Sequence, residues 1–335
     1  MELNSIHKKL IDKDIIWIDY AKVICLFFVY LTHSSIYCRT YNLYSYNLFY
    51  PFYVDAFFIL SGYLFFRVPM HTPKVVLSNV FFRIVVPSIV FSFIIFFPKL
   101  IIRSEVFSWK ALLDTTFGGK GFWFTSSLAV AQICLAVVMF FRPRSRSIYL
   151  IIAILLFLFS QFILPHKSYP WFIRSGLTAV ILLVVGGIYR MFEDKVDGFF
   201  SHWKLLILVP LLALYVWLVY FYGYLHILGG EGNLNISGVF CTVFSSYILI
   251  RLCKHIKKEG KIIKYIGRNS ILLYFFSGAF PNTISVILIR SSVDNKYLLL
   301  GATLILSILF AYVTAKIITR FFPFMLNLQN VIHKK

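Results

Sequence analysis

Charge is what this chain has least of. Only 14% of its 335 residues are charged and 60% are hydrophobic, with a mean hydropathy of +0.82, whereas a soluble domain carries roughly 25% charged residues. Acids are the scarcer sign, 13 against 33 Lys and Arg. Polar linkers are missing too: apolar segments recur to the C-terminal end, so residues 1–335 read as a single membrane domain. The first 14 residues are polar and lack a small-residue cleavage site, which argues for a retained first helix instead of a signal peptide. Cysteine is sparse and scattered. There is no C-x-x-C pair, and Cys25, Cys134 and Cys241 fall inside apolar segments, where reduced core thiols are expected. No metal site is expected. No repeated pair of broken apolar segments stands out, which weakens a transporter built on inverted repeats. The net charge of +20 does not imply a nucleic-acid partner, because basic cytoplasmic loops of a membrane protein give the same excess.

What is present in quantity is apolar length. The chain reads as all-α, a polytopic integral membrane protein of about ten transmembrane helices, near 15–37, 48–66, 80–102, 122–141, 147–164, 172–190, 204–222, 234–252, 269–289 and 297–321. Residues 1–14 and 322–335 would be cytoplasmic flanks. With both termini in the cytoplasm, 23 of the 33 Lys and Arg residues fall on the inner side, as the positive-inside rule requires. Seven of them lie between Arg251 and Arg268; they are expected to set orientation and touch anionic lipid headgroups. Two loops on the other side, 103–121 and 221–238 (with His226, Gly229, Gly230, Glu231 and Gly232), are candidates for shaping an outer entrance.

The first span, IIWIDYAKVICLFFVYLTHSSIY, carries Asp19, Lys22 and His33. Ionisable groups at membrane depth cost about 2.5–3.5 kcal/mol each, so they mark function. At about 100° per residue, the eleven steps from Lys22 to His33 close to within about 20°, so both share one face, about 16 Å apart along the axis. Asp19 is an i,i+3 neighbour of Lys22. The second span, FYPFYVDAFFILSGYLFFR, runs the opposite way, and Asp55 then lies at roughly the depth of His33. An Asp55–His33 pair would fix the imidazole's tautomer and raise its basicity. The same pair would also serve merely to hold two helices together, and spacing alone does not separate the two readings.

These segments resemble the membrane acyltransferase-3 family. That family opens with a span carrying Asp, then Arg, ten residues and His, here Asp19, Lys22 and His33. A D-x-F-F-x-x-S-G element follows in its second span, here Asp55 to Ser61 and Gly62. Arg83-Ile-Val-Val-Pro87 stands at the family's basic R-x-x-P element, and Gly121-Phe122-Trp123-Phe124 resembles its G-x-W-F. Gly267-Arg268-Asn269-Ser270 with Tyr274 is similar to its late G-x-x-S-x-x-x-Y helix. The resemblance implies transfer of an acyl group, usually acetyl, from cytoplasmic acyl-CoA to a hydroxyl of a surface or lipid-linked carbohydrate, in a bacterial inner (plasma) membrane. It implies His33 as catalytic base and Lys22 and Arg83 as donor-binding residues, with Arg67 and Lys74 adding to a basic collar for the coenzyme's phosphates. Acyl-CoA is then a substrate, and no permanently bound cofactor is expected; the partners are acyl-CoA, the saccharide acceptor and membrane lipid. Lys22 stands where the family has Arg, Val80 where it has the first Arg of R-x-x-R, and Ser277 where many relatives have His. All three departures fall on the binding sites and leave the fold untouched. The rival reading is a proton-coupled transporter or flippase-like carrier of a glycan or organic acid, with His33, Asp55 and Lys22 along its path.

Overall fold

A computed structural model describes residues 15–40, 49, 53–67, 71–103, 105–141, 147–165, 167, 169–202, 204–221, 236–258 and 260–326. Among the described residues every regular element is helical. In chain order they are α1 (Ile16–Tyr37), α2 (Asp55–Phe65), α3 (Pro73–Ile102), α4 (Trp109–Thr116), α5 (Trp123–Phe140), α6 (Ser147–Ile163) and α7 (Ile173–His202). Then come α8 (Lys204–Phe221), α9 (Ile236–Lys254), α10 (Lys261–Arg268), α11 (Ser270–Phe276), α12 (Ala279–Arg290) and α13 (Lys296–Phe321). Helix overlaps each expected span, and among the described residues six stretches are long and apolar enough to cross a bilayer: α1, α3, α5, Pro170–Ser201, Ser270–Arg290 and α13. The 222–235 part of the second entrance loop, with His226 and the glycines, lies outside the described residues.

Three boundaries differ from expectation, each for a local reason. Helix α3 begins at Pro73 rather than near 80, because Pro at the first helical position needs no N–H partner and Thr72 caps the turn. Helix α7 runs on to His202 instead of stopping at 190, through a non-helical residue at Phe192. Its extension brings Glu193 and Asp197 to the Lys22 end of the bundle. There Lys254 donates to both acids and Arg251 pairs with Asp197 at 3.0 Å; the Tyr63 hydroxyl also donates to Glu193. Two of the seven basic residues in 251–268 are therefore spent on holding α9 to α7. The expected span 269–289 breaks at Ser277 and Gly278 into α11 and α12. Both residues keep right-handed helical φ/ψ, so the two helices run on as one stretch, and the interruption borders a cavity.

The central contact is α2 on α7. A Cβ at Gly62 would come 1.9 Å from the Leu183 carbonyl oxygen, and one at Gly186 would come 2.0 Å from that of Ile59. Only glycine lets these backbones meet, the small-residue packing that membrane helices favour. Seen along α2, Asp55, Ile59 and Gly62 share one face, while Phe57 and Leu64 lie about 160–200° from Asp55 and Ser61 about 120° from it. Fixing Gly62 against α7 thus fixes which residues of α2 look the other way.

Candidate active site

Two cavities lie along the face of α1 that carries Lys22 and His33. The first, of about 410 Å³, is lined by Lys22, by Phe57, Ser61 and Leu64 from α2, and by Arg83, Ile84 and Pro87 from α3. Gln132 of α5 and Arg268 to Leu272 complete its polar wall. The second, of about 200 Å³, holds His33 and Tyr37 with Pro98 and Lys99, Gly121 to Trp123, Ser277 to Ala279, Asn282 and Thr283. Tyr274 and Phe275 line both. They form the septum between a basic chamber and an imidazole chamber.

Each basic residue reaches the first chamber through a local cause. Pro87 lacks the N–H that an α-helix would donate back to the Arg83 carbonyl, and residues Phe81–Val85 accordingly widen into a π turn. Such turns recur at functional sites because they re-aim one side chain; here the side chain is Arg83. Arg268 ends α10, which packs on α1 through Gly267. A Cβ there would sit 2.5 Å from the Cβ of Asp19, so only glycine brings Arg268 and Asn269 level with Lys22. Asp19 and Arg268 are the charged neighbours that the Lys22 ammonium senses. Buried Asp19 thus seats α10 and partly offsets the concentration of positive charge.

The septum is held by aromatic packing. Phe275 stacks on Phe91 with ring centroids 4.8 Å apart, and Tyr274 meets Phe124 edge-on at 5.1 Å. Phe275 is 1% exposed. Tyr30 of α1 donates to the Leu273 carbonyl at 2.7 Å, which ties α11 to the helix that carries His33.

The sequence-expected residues divide cleanly. Lys22, Arg83 and Ser61 meet in the basic chamber; His33 and Trp123 meet in the other. Gly62 and Asp19 are packing residues. Arg67 and Lys74 do not line the basic chamber. Lys74 is exposed in the first turn of α3, nine residues and about 180° from Arg83. Arg67 hydrogen-bonds the imidazole of His71. Burial, then the guanidiniums of Arg67 and Arg83, hold the His71 pKa below its usual value, so this ring stays neutral beside them. The expected Asp55–His33 pair is replaced by another: the Asp55 carboxylate accepts from Thr242 of α9 at 3.2 Å. The reason is azimuth. Asp55 lies on the Gly62 face of α2, which is turned toward α7 and α9. Of the proposed outer loops, Gly121 does line the His33 chamber.

Sequence reasoning did not assign Arg268, Asn269, Gln132 or Asn282 to the site. Arg268 was hidden as the last member of a cationic run, although Gly267 before it and an apolar segment after it set it apart. Gln132 carried a signal of its own, a lone amide in an otherwise apolar span.

A family model described as an acyltransferase domain, of the acyltransferase-3 family, matches residues 15–316. No curated protein and no solved structure matches the chain. The matched stretch contains every residue lining either cavity except Leu326.

Proposed function

Since this chain belongs to the acyltransferase-3 family and is a multi-pass membrane acyltransferase, we propose that it moves an acetyl group from cytoplasmic acetyl-CoA to a hydroxyl of a surface or lipid-linked carbohydrate, with His33 as general base. The observation that carries this reading is the pair of chambers sharing Tyr274 and Phe275, one with three cationic side chains and one with the imidazole. Coenzyme A is a long, thin polyanion. Its phosphates suit Lys22, Arg83 and Arg268, and the amides of its arm suit Gln132 and Asn269. The thioester then reaches the septum from the basic side while the acceptor hydroxyl enters beside His33. The hydroxyl oxygen attacks the thioester carbon as His33 takes its proton. A C–O bond forms, the C–S bond breaks, and the thiolate leaves with the proton returned from His33. Asp55 has no part in orienting that imidazole. The excess of basic residues at the Lys22 end supports a cytoplasmic donor face and a bacterial inner membrane as the setting.

The test compares surface glycan from cells expressing the native chain or His33→Ala, by NMR before and after mild base. Ester-linked acetyl with the native chain and none with the variant is the expected result. Acetyl unchanged in His33→Ala would sink the mechanism. No acetyl in either, with solute uptake driven by a pH gradient, would favour a carrier.

A further inference from the structure

Asn282 is the one side-chain amide among the described residues that line the His33 chamber. It is 8% exposed, yet lines the cavity. Its backbone N–H bonds Gly278 and its carbonyl accepts from Ser285, but its carboxamide has no hydrogen-bond partner among the described residues. Neighbouring hydroxyls are spent: Ser277 donates to the Tyr274 carbonyl at 2.8 Å and Thr283 to that of Ala279 at 2.9 Å. The amide atoms are not sealed in protein but are reached from the cavity, so the carboxamide is open to a ligand there.

The surroundings say which ligand. Asn282 lies in the first turn of α12. The start of α5 at Phe122 has no side-chain cap, and it opens into the same chamber through Phe122 and Trp123. One helix N-terminus, equivalent to roughly half a positive charge, therefore faces this small space. Such a space favours an oxygen that gains negative charge, and the amide supplies a directed N–H donor to it.

We propose that Asn282 is a catalytic residue, the donor to the acyl carbonyl oxygen as the acceptor attacks. This rests on the acyltransferase reading above. When the hydroxyl oxygen bonds to the carbonyl carbon and its proton passes to His33, the carbonyl π pair moves onto oxygen. The Asn282 N–H holds that oxyanion until the pair returns and the C–S bond breaks, the thiolate taking the proton from His33.

The experiment uses the full chain in vesicles, acetyl-CoA as donor and glycan from cells lacking the chain as acceptor. It compares native protein with Asn282→Ala and with Asn282→Asp, which keeps the size but replaces the donor by an oxygen. Loss of one oxyanion donor costs about 10²–10³-fold in kcat; both variants should show that loss, with KM for donor and glycan within about threefold and no drop in melting temperature. A raised KM for glycan at unchanged kcat would mean that Asn282 holds the acceptor, and would overturn the assignment. Native rates in both variants would overturn it while leaving the acyltransferase reading intact. No ester formation by the native chain would overturn that reading, and this assignment with it.

Discussion

The two chambers differ in the kind of polarity they hold. The one around Lys22 concentrates full positive charge, from three different elements, at an end of the bundle where acids are tied up with Lys254 and Arg251. The one around His33 is built from a titratable ring, one amide, hydroxyls and a helix N-terminus, and Lys99 also lines it. Full charges bind a polyanion at long range and tolerate some misplacement. Partial charges act only at contact, and their value depends on being fixed in advance. In the proposed reaction the contrast divides binding and chemistry between the two sides of one aromatic wall, so that each side can be perturbed alone.

The largest effect that sharpens the contrast is expected from His33→Ala. Transfer should fall by about 10²–10⁴-fold, with the Kd for acetyl-CoA, read by equilibrium binding in vesicles, unchanged. Weakened donor binding would mean the chambers are not separable. Next come Arg83→Ala and Arg268→Ala. Each removes hydrogen bonds to a charged ligand worth about 1.5–3 kcal/mol, so Kd should rise by about 10–100-fold with kcat little changed and with a shallower salt dependence. Equal loss in kcat would place those residues in the chemistry. Phe275→Ala tests the wall itself. Opening it should raise the rate with butanoyl-CoA relative to acetyl-CoA by about tenfold, the scale of one or two methylenes in a fitted pocket. An unchanged ratio would show that the septum does not limit chain length. The smallest effect belongs to Asp55→Asn. Because Asp55 bonds Thr242 and not His33, activity should stay within about threefold; a loss as deep as that of His33→Ala would restore the dyad that the structure takes apart.

Helical arithmetic made part of this legible in advance. Lys22 and His33 were placed on one face of α1 by spacing alone, and both do line cavities along one wall. The same arithmetic applied to α2 would have set Asp55 opposite Leu64 and about 120° from Ser61. An expected depth is one coordinate of a pair that needs two, and the other, azimuth, is set by Gly62 against Leu183. Arg67 and Lys74 do not line the chamber that holds Arg83: closeness in sequence to Arg83 does not survive a helix that begins at Pro73 and leaves Lys74 exposed in its first turn.

The sequence by itself determined the membrane class, the helical segments, the family and the polarity of α1, because each follows from local composition or from spacing within one helix. Tertiary structure alone decided that Arg268 joins Lys22, that Asn282 faces the same cavity as His33, that Asp55 belongs to Thr242, and that Tyr274 and Phe275 divide the site. Those are relations between helices far apart in the chain. They depend on rotation about each helix axis, which is set where glycine allows two backbones to touch and is written in no single segment.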